Sequence, residues 1–327
     1  MVGPTSSGKT EISIRLAEFF QTEIVSLDAS QVYKDIPILT GAPKKEQLSR
    51  VKHHLVGVFS PNFVIQAAQV SDYALELVKT IHQSGRLPIV VAGSYMYLKF
   101  FLHGYSFDRS SQNSTRTEIE PNYELLRELD PEYAKVVHPN DSVRIRRALA
   151  YIFANGQRFS QACSDHSFAS FRVKPLMIAL WWPRTDLYRR IEERCRSMID
   201  EGLIDEVKNV VSVYGEDPFG AVKSIGFKQF RDYLKGRISF DEAFKSFVKQ
   251  TKRFARQQSY YARLEPKKRG FQVLPESGLA GFRTVELLVG RSKILTMDCD
   301  FEQLVSVIKD FKFDKPTILN LSAKSVL

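Results

Sequence analysis

The stretch Gly3-Pro4-Thr5-Ser6-Ser7-Gly8-Lys9-Thr10 fits the pattern G-x-x-x-x-G-K-T, and residues 11–20, which follow it directly, have helical apolar spacing. Glycines in such a loop allow consecutive backbone N–H groups to turn toward phosphate oxygens, and the helix adds its positive N-terminal end. Lys9 would add a point charge, and the Thr10 hydroxyl could ligate Mg²⁺. We therefore predict a phosphate-binding loop over residues 3–10, in preference to a simple glycine-rich turn.

Strand and helix patterns alternate after this loop. Strand patterns at residues 23–27 and 87–94 are separated by a polar turn region at 28–45 and a helical stretch around 71–84. Such alternation predicts a parallel sheet with crossover helices, so the predicted fold class is α/β: a P-loop parallel sheet flanked by helices. A P-loop ordinarily follows a central strand, whereas only Met1 and Val2 precede Gly3 here.

The pattern changes twice further along the chain. Residues 108–172 have short apolar runs with helical periodicity, which predicts a mainly helical insertion between a first core segment, 1–107, and a second one, 173–264. The second segment has a strand pattern at 174–182 and helices over 184–213 and 239–264. From Phe271 onward there are seven Lys or Arg and seven Asp or Glu residues. We interpret residues 265–327 as a small C-terminal extension, a separate module to which the sequence assigns no role.

Charge and composition restrict the possible partners. The chain of 327 residues has 47 Lys and Arg against 37 Asp and Glu, a net charge of +10, which favours nucleic acid, a membrane surface or a phosphorylated substrate. No run of about 18 apolar residues predicts a membrane span, and the N-terminus lacks the pattern of a signal peptide. Cys163, Cys195 and Cys299 have no CxxC spacing, which argues against a zinc ribbon or a disulfide framework and favours the reducing cytoplasm.

Asp28 is the first candidate for chemistry outside the loop. It follows the strand pattern at residues 23–27, at the carboxyl end that faces the ligand crevice in an open parallel sheet. From its position alone it could ligate Mg²⁺, cap a turn or act as a base. The pair His53-His54 is interpreted as structural, because adjacent strand residues point to opposite faces and would not form a metal pair.

An ordered set of motifs extends from the loop to residue 264. It includes Asp28-Ala29-Ser30-Gln31-Val32-Tyr33 and Thr40-Gly41-Ala42-Pro43-Lys44, with further blocks at 53–55, 91–97, 138–149, 201–207, 224–228 and 251–263. No single block is sufficient, but the ordered set resembles the tRNA dimethylallyltransferases, also called tRNA isopentenyltransferases. Departures from the family pattern at Ala92, Tyr95, Met96, Ala150, Gln257 and Tyr261 indicate a divergent member.

The resemblance implies a reaction and roles for the site residues. The loop would hold dimethylallyl diphosphate rather than a nucleotide, with Mg²⁺, Lys9 and Thr10 neutralising the leaving diphosphate. Asp28 would accept a proton from the exocyclic amine of an adenosine beside the tRNA anticodon, or orient that amine. Ser94, where the family usually has Thr, would hydrogen-bond a phosphate or the nucleotide. Lys228 would pair with the diphosphate. The expected enzyme is a cytoplasmic monomer.

The same resemblance, together with a basic helix, predicts an RNA surface. From the resemblance we expect tRNA contacts at Asp28, Ala29, Ser30, Gln31, Ser94, Arg116, Val143, Arg144, Ile145, Arg146 and Arg147. Periodicity places Arg253, Arg256 and Arg263 on one face of the helix over 239–264 and an apolar set including Phe254 on the core-facing side. Both basic groups could instead be ordinary solvated faces, with 143–147 paired to acids such as Asp141.

Three other readings account for part of the sequence. A P-loop small-molecule kinase would bind ATP at the loop and use Asp28 as its base, but would leave the basic helix unexplained. An RNA-binding protein with a degenerate loop would explain the substitutions. Prenylation of free adenine nucleotides would share the donor site but would not need the basic helix.

Overall fold

The computed structural model describes residues 1–104, 119–165, 172–173, 177–178, 180, 182–263, 284–285, 301–302, 304–305 and 308–309, with only the backbone at 164–165, 177–178, 260–263 and 284–285. The chain forms two compact units. The first comprises Met1–Leu102 and Phe171–Leu327, and the second comprises His103–Ser170. None of the helices in the described ranges is both long and apolar enough to cross a membrane.

A parallel three-stranded sheet lies at the centre of the first unit. Its strands are β1 (Ile24–Leu27), β2 (His53–His54) and β3 (Ile89–Ala92), in the order β2-β1-β3. All four residues of β1 are buried, as expected for a parallel strand that is covered on both faces. In this register Ile24 lies opposite His53 on one side and Ile89 on the other. The predicted α/β class is confirmed.

The first unit contains helices in addition to this sheet, and other helices form the second unit. In chain order they are α1 (Lys9–Phe19), α2 (Pro37–Thr40), α3 (Lys45–Arg50), α4 (Ala67–Gln83), α5 (Tyr95–His103), α6 (Tyr123–Leu129), α7 (Pro131–Ala134), α8 (Ser142–Asn155), α9 (Phe159–Asp165), α10 (Arg184–Asp200), α11 (Leu203–Tyr214), α12 (Phe219–Val222), α13 (Phe227–Leu234) and α14 (Phe240–Arg263). Two short strands, β4 (Met177–Ile178) and β5 (Thr284–Val285), pair in parallel.

The residues before the phosphate-binding loop are held by the sheet. Val2 forms a parallel bridge with Ala92, and the Ala92 amide donates to the Met1 carbonyl at 2.9 Å. On the other side the Leu180 amide donates to the Val2 carbonyl at 2.8 Å. The short segment therefore lies between β3 and the chain around Leu180, and this pairing fixes the start of the loop.

The region at 28–45, predicted as a polar turn, contains a short helix instead. Pro37 stands in the first turn of α2, where its missing N–H costs nothing. The Glu206 carboxylate on α11 accepts from the amides of Ile38 and Leu39 at 2.9 and 2.7 Å. A partner distant in sequence thus caps the helix, and local patterns contain no sign of it.

The described residues of the C-terminal extension belong to the first unit and pack against its N-terminal part. Leu304, Val305 and Ile308 are buried in one cluster with Ile14 of α1 and Leu180. The Arg15 guanidinium lies 4.2 Å from the ring centroid of Phe301. These residues therefore contact α1, and the interpretation of 265–327 as a separate module stays a prediction. The sequence also has strand patterns at 284–289 and 293–297; Thr284–Val285 forms β5, and the remainder of both patterns lies outside the described residues.

Candidate active site

The phosphate-binding loop has the backbone geometry of an anion cradle. Ser6 and Gly8 have φ angles of 62° and 96°, and nothing lies within 4 Å of the position that a Cβ on Gly8 would occupy. The helix α1 begins at Lys9. The Oγ atoms of Ser6 and Ser7 are buried and have no hydrogen-bond partner among the described residues. The open position at Gly8 and the two unpartnered hydroxyls fit a loop that binds an anionic ligand, because a buried polar group without a partner is costly.

Lys9 points back over the loop. Its Nζ donates to the carbonyls of Gly3 and Pro4 at 2.9 and 2.8 Å. Burial is the main reason why the pKa of Lys9 falls to about 8; the charge of Asp28 opposes this shift, and the positive charge of Arg194 adds to it. Lys9 therefore lies within electrostatic reach of Asp28, as the position of Asp28 at the strand end predicts.

Asp28 is held with one carboxylate oxygen engaged. Its Oδ1 accepts from the amides of Ser30 and Gln31 at 2.8 and 3.2 Å, which closes a turn directly after β1. Its Oδ2 makes no hydrogen bond within the described part of the chain and lies against Gly93, where a Cβ would come within 1.9 Å of it. Only glycine leaves room for the carboxylate there. The turn-capping and base interpretations of Asp28 are thus compatible, one for each oxygen.

Two neighbouring loops fix the surroundings of Asp28. The Ser94 Oγ accepts from the Ala29 amide at 3.0 Å, which ties the end of β3 to the turn after β1. The Gln31 side chain donates to the Gly41 carbonyl at 3.1 Å and thereby reaches the loop that follows α2. The structure therefore brings Asp28, Ala29, Gln31 and Ser94, all predicted site residues, to the same edge of the sheet.

Three residues of this site were missed by the sequence reasoning. The Arg190 Nε donates to the Ser6 carbonyl at 3.0 Å, and its guanidinium lies 4.3 Å from the ring centroid of Trp182, whose Nε1 donates to the Ser7 carbonyl at 2.9 Å. Arg194 donates to the Gly41 carbonyl at 3.0 Å, and burial lowers the pKa of its guanidinium. The four-residue spacing of Arg190 and Arg194 on α10 is the only sequence signal, and several other charged residues of that helix obscure it.

The predicted RNA residues are placed separately. In the second unit, Val143, Arg144, Arg146 and Arg147 are exposed on α8, whereas the exposed fraction of Ile145 is 1%. The Ile145 side chain packs in the core of that unit, and the contact of this residue with tRNA stays a prediction. Arg144 pairs with Asp141 at 3.2 Å, as the alternative interpretation expected. Arg116 lies outside the described residues.

On α14 of the first unit, Arg253 and Arg256 are exposed, and neither makes a hydrogen bond or ion pair with the part of the chain that the structure describes. Phe254, assigned to the core by its spacing, is 38% exposed instead, because the buried side of the helix at this point is occupied by Ala255. The side chain of Arg263 lies outside the described residues. Lys228 is exposed on α13 and has no hydrogen-bond or ion-pair partner among the described residues, so its pairing with diphosphate stays a prediction.

A phosphate-binding loop on a parallel sheet, with a carboxylate at the adjacent strand end, defines a P-loop protein of the α/β class. A family model described as IPP transferase matches residues 31–265. The tRNA dimethylallyltransferase 2 of Geotalea uraniireducens (strain Rf4) is 38% identical over 267 residues, which cover 79% of this chain and 86% of the relative. The chain belongs to the IPP transferase family.

Solved structures of this family are similar to the chain as well. The full-length tRNA isopentenylpyrophosphate transferase of Bacillus halodurans is 31% identical and has a TM-score of 0.58, with 79% of this chain and 83% of that one covered. A eukaryotic dimethylallyltransferase, solved acting on tRNA, is 25% identical and has a TM-score of 0.70, with 80% and 68% covered. The suspected family membership is confirmed.

Proposed function

We propose that this protein transfers a dimethylallyl group from dimethylallyl diphosphate to the exocyclic amine of an adenosine next to the tRNA anticodon. The observation that carries the proposal is the Oδ2 atom of Asp28, which has no described hydrogen bond and lies against Gly93. The charge of Asp28 also acts on Lys9 of the phosphate-binding loop. A carboxylate with one oxygen unengaged can receive a proton, and the neighbouring cradle can receive a diphosphate. Family membership supplies the two substrates.

The acceptor needs the carboxylate because an aromatic amine is a weak nucleophile. Its lone pair is delocalised into the ring, and a base within hydrogen-bond reach removes the proton as the bond forms. In the proposed step the amine nitrogen bonds to the allylic carbon, the carbon–oxygen bond breaks with its electrons leaving on diphosphate, and Asp28 Oδ2 takes the proton. Ser94 and Gln31 hold the loops around this carboxylate.

The donor site uses the positive charge around the cradle. Lys9 and the amides at the start of α1 would neutralise the leaving diphosphate, and Arg194, whose charge acts on Lys9, would add a second cation. Because charge develops on the leaving group in the transition state, preorganised donors lower the barrier. We propose that Lys228, whose side chain is exposed on α13, also pairs with the diphosphate.

Mg²⁺ is proposed as the assisting metal. Thr10 lies in the first turn of α1 with no described hydrogen bond from its hydroxyl, and this hydroxyl could hold Mg²⁺. Within the described ranges no group of three His, Cys, Asp or Glu side chains could hold a metal on its own. When bound, Mg²⁺ would neutralise part of the diphosphate charge.

The RNA surface of the first unit is proposed to lie on α14. Arg253 and Arg256 are exposed without described partners, and the exposed ring of Phe254 lies between them in sequence. Such arginines suit phosphate oxygens, and an aromatic face suits a base. On the second unit, Val143, Arg144, Arg146 and Arg147 of α8 form another exposed and mostly basic surface that we propose for RNA.

Replacing Arg253 and Arg256 together by alanine should weaken tRNA binding and lower the slope of log Kd against log salt by about 1 to 2 units, because each phosphate contact releases roughly one counterion. Filter binding over a range of salt concentrations measures this slope. The double variant Lys45→Ala, Lys208→Ala, in exposed lysines of α3 and α11, tests whether any loss of charge has the same effect. An unchanged slope for the arginine variant would remove both residues from the RNA surface.

The reaction itself is tested with purified protein, unmodified tRNA, Mg²⁺ and dimethylallyl diphosphate, followed by digestion and mass analysis for prenylated adenosine. We expect prenylated adenosine in tRNA, none on free AMP, and no consumption of ATP when ATP replaces the donor. ATP-dependent phosphorylation would instead support the small-molecule kinase, and modified AMP would support a nucleotide acceptor. Transfer to neither acceptor would contradict the proposal.

The remaining assignments are also proposals. We propose that residues 108–172 form the insertion and 265–327 the extension, and that the enzyme works in the cytoplasm as a monomer. The cysteines lack CxxC spacing, which is typical of neither a zinc ribbon nor a disulfide framework and supports this proposal.

A further inference from the structure

One side chain of α14 joins the two loops that form the active site. The Gln258 Oε1 accepts from the Thr5 amide at 2.8 Å, and its Nε2 donates to the Gly93 carbonyl at 2.8 Å. A backbone N–H can only donate and a carbonyl can only accept, so the two partners fix the orientation of the amide. Thr5 belongs to the phosphate-binding loop, and Gly93 is the residue against which Asp28 Oδ2 lies.

These two contacts connect the proposed donor and acceptor halves of the reaction. Thr5 and Gly93 are far apart in the sequence, and each belongs to a different loop at the carboxyl edge of the sheet. A shift of either loop would change the separation between the diphosphate and the carboxylate. Because bond formation depends on near-attack geometry, a displacement of about 1 Å is sufficient to cost roughly 10²-fold in rate.

The helix that carries Gln258 is itself firmly placed. Phe247 is 2% exposed and packs edge-to-face on Phe230 of α13 with a centroid distance of 5.4 Å. Ala255, one turn before Gln258, is fully buried, and Lys252 forms an ion pair with Glu192 of α10. Gln258 is therefore a rigid link, since its backbone is held by packing on the side opposite to the exposed arginines.

We propose that Gln258 is a positioning residue. It holds the phosphate-binding loop and Gly93, against which Asp28 lies, at the separation that the reaction requires. It touches neither substrate and acts through the backbones of Thr5 and Gly93. The same helix presents Arg253 and Arg256 outward, so one element binds RNA on one face and sets the active-site spacing from another. This role rests on the proposed function of the loop and of Asp28.

The first test is Gln258→Met, which keeps the length of the side chain and removes both hydrogen bonds. We expect kcat for prenyl transfer to fall by about 10- to 100-fold, while tRNA Kd stays within about twofold. The matched control is Gln250→Met. Gln250 is exposed on the same helix, and its described side-chain hydrogen bond goes to Ser246, one turn earlier in that helix. The control should retain wild-type kcat. Unchanged kcat in a folded Gln258→Met variant would overturn the proposal.

The second test is the pH profile of Gln258→Glu. A neutral carboxyl can accept from Thr5 and donate to Gly93, whereas a carboxylate can only accept. The ratio of variant to wild-type kcat should therefore rise as pH falls from 8.5 to 6, by up to about tenfold per pH unit while the ionised form dominates. Groups that titrate alike in both enzymes cancel in this ratio. A merely structural role predicts a flat ratio, and a flat ratio would overturn the proposal even if Gln258→Met failed to fold.

Wild-type enzyme assayed in parallel distinguishes a failure of the proposed prenyl transfer from a failure of the Gln258 role. If wild type transfers no dimethylallyl group, the proposed function fails, and the Gln258 role fails with it. If wild type is active and both Gln258 variants behave like wild type, only the positioning role is wrong.

Discussion

Asp28→Asn is expected to lower kcat for prenyl transfer by at least about 10³-fold while tRNA Kd stays within about twofold. The amide oxygen of asparagine can still accept from Ser30 and Gln31, so the turn after β1 is retained. The NH₂ group that replaces Oδ2 beside Gly93 cannot accept a proton. General base catalysis contributes about 10²- to 10⁴-fold, and here the nucleophile is a delocalised amine that depends on it. Single-turnover kinetics with saturating donor measures the effect on the chemical step.

Asp205→Asn is the matched control for this experiment, because Asp205 is exposed in the first turn of α11 and is not part of the site. It should retain wild-type kcat. A fall of less than about fivefold for Asp28→Asn would show that Asp28 orients the loop without acting as the base. In that case the Ser94 hydroxyl, bonded to Ala29, becomes the next group to test.

The parts of this site that lie close together in sequence were predictable. The loop pattern specifies its own backbone, and the strand before Asp28 is a buried apolar run, so residues 3–10 and Asp28 could be placed at the same edge of the sheet from local signals alone. The motif that contains Ser94 follows another such strand, β3. In each case the candidate site residue comes shortly after the carboxyl end of a strand.

The links between these segments were not predictable. Gln258 reaches Thr5 across 253 positions and Gly93 across 165, and Glu206 caps α2 from 167 and 168 positions away. No periodicity encodes such pairs, because they arise when separate elements pack together. Phe254 shows the converse error: apolar spacing assigned it to the core, but Ala255 occupies the buried side and leaves the ring exposed.

Lys9→Met should reduce kcat/KM for the donor by about 10²- to 10³-fold at pH 7. Lys9 carries the cation closest to the loop backbone, where it bonds to the carbonyls of Gly3 and Pro4. A charge-assisted bond to a diphosphate is about twice as strong as a neutral one, and the lost charge also stabilises the leaving group. Lys45→Met, in an exposed lysine at the start of α3, is the control and should leave kcat/KM unchanged.

The pH dependence of this variant distinguishes a direct role of Lys9 from a structural one. Burial lowers the pKa of Lys9 to about 8 in the free enzyme, so the fraction that is protonated falls as pH rises from 7 to 9. The donor is anionic and binds best to the protonated lysine. Since kcat/KM reports ionisations of the free enzyme, the wild-type value should decline on the alkaline side with a midpoint near 8, and Lys9→Met should lack this decline. An identical alkaline limb in both enzymes would mean that another group titrates there and that Lys9 serves the loop only through its bonds to Gly3 and Pro4.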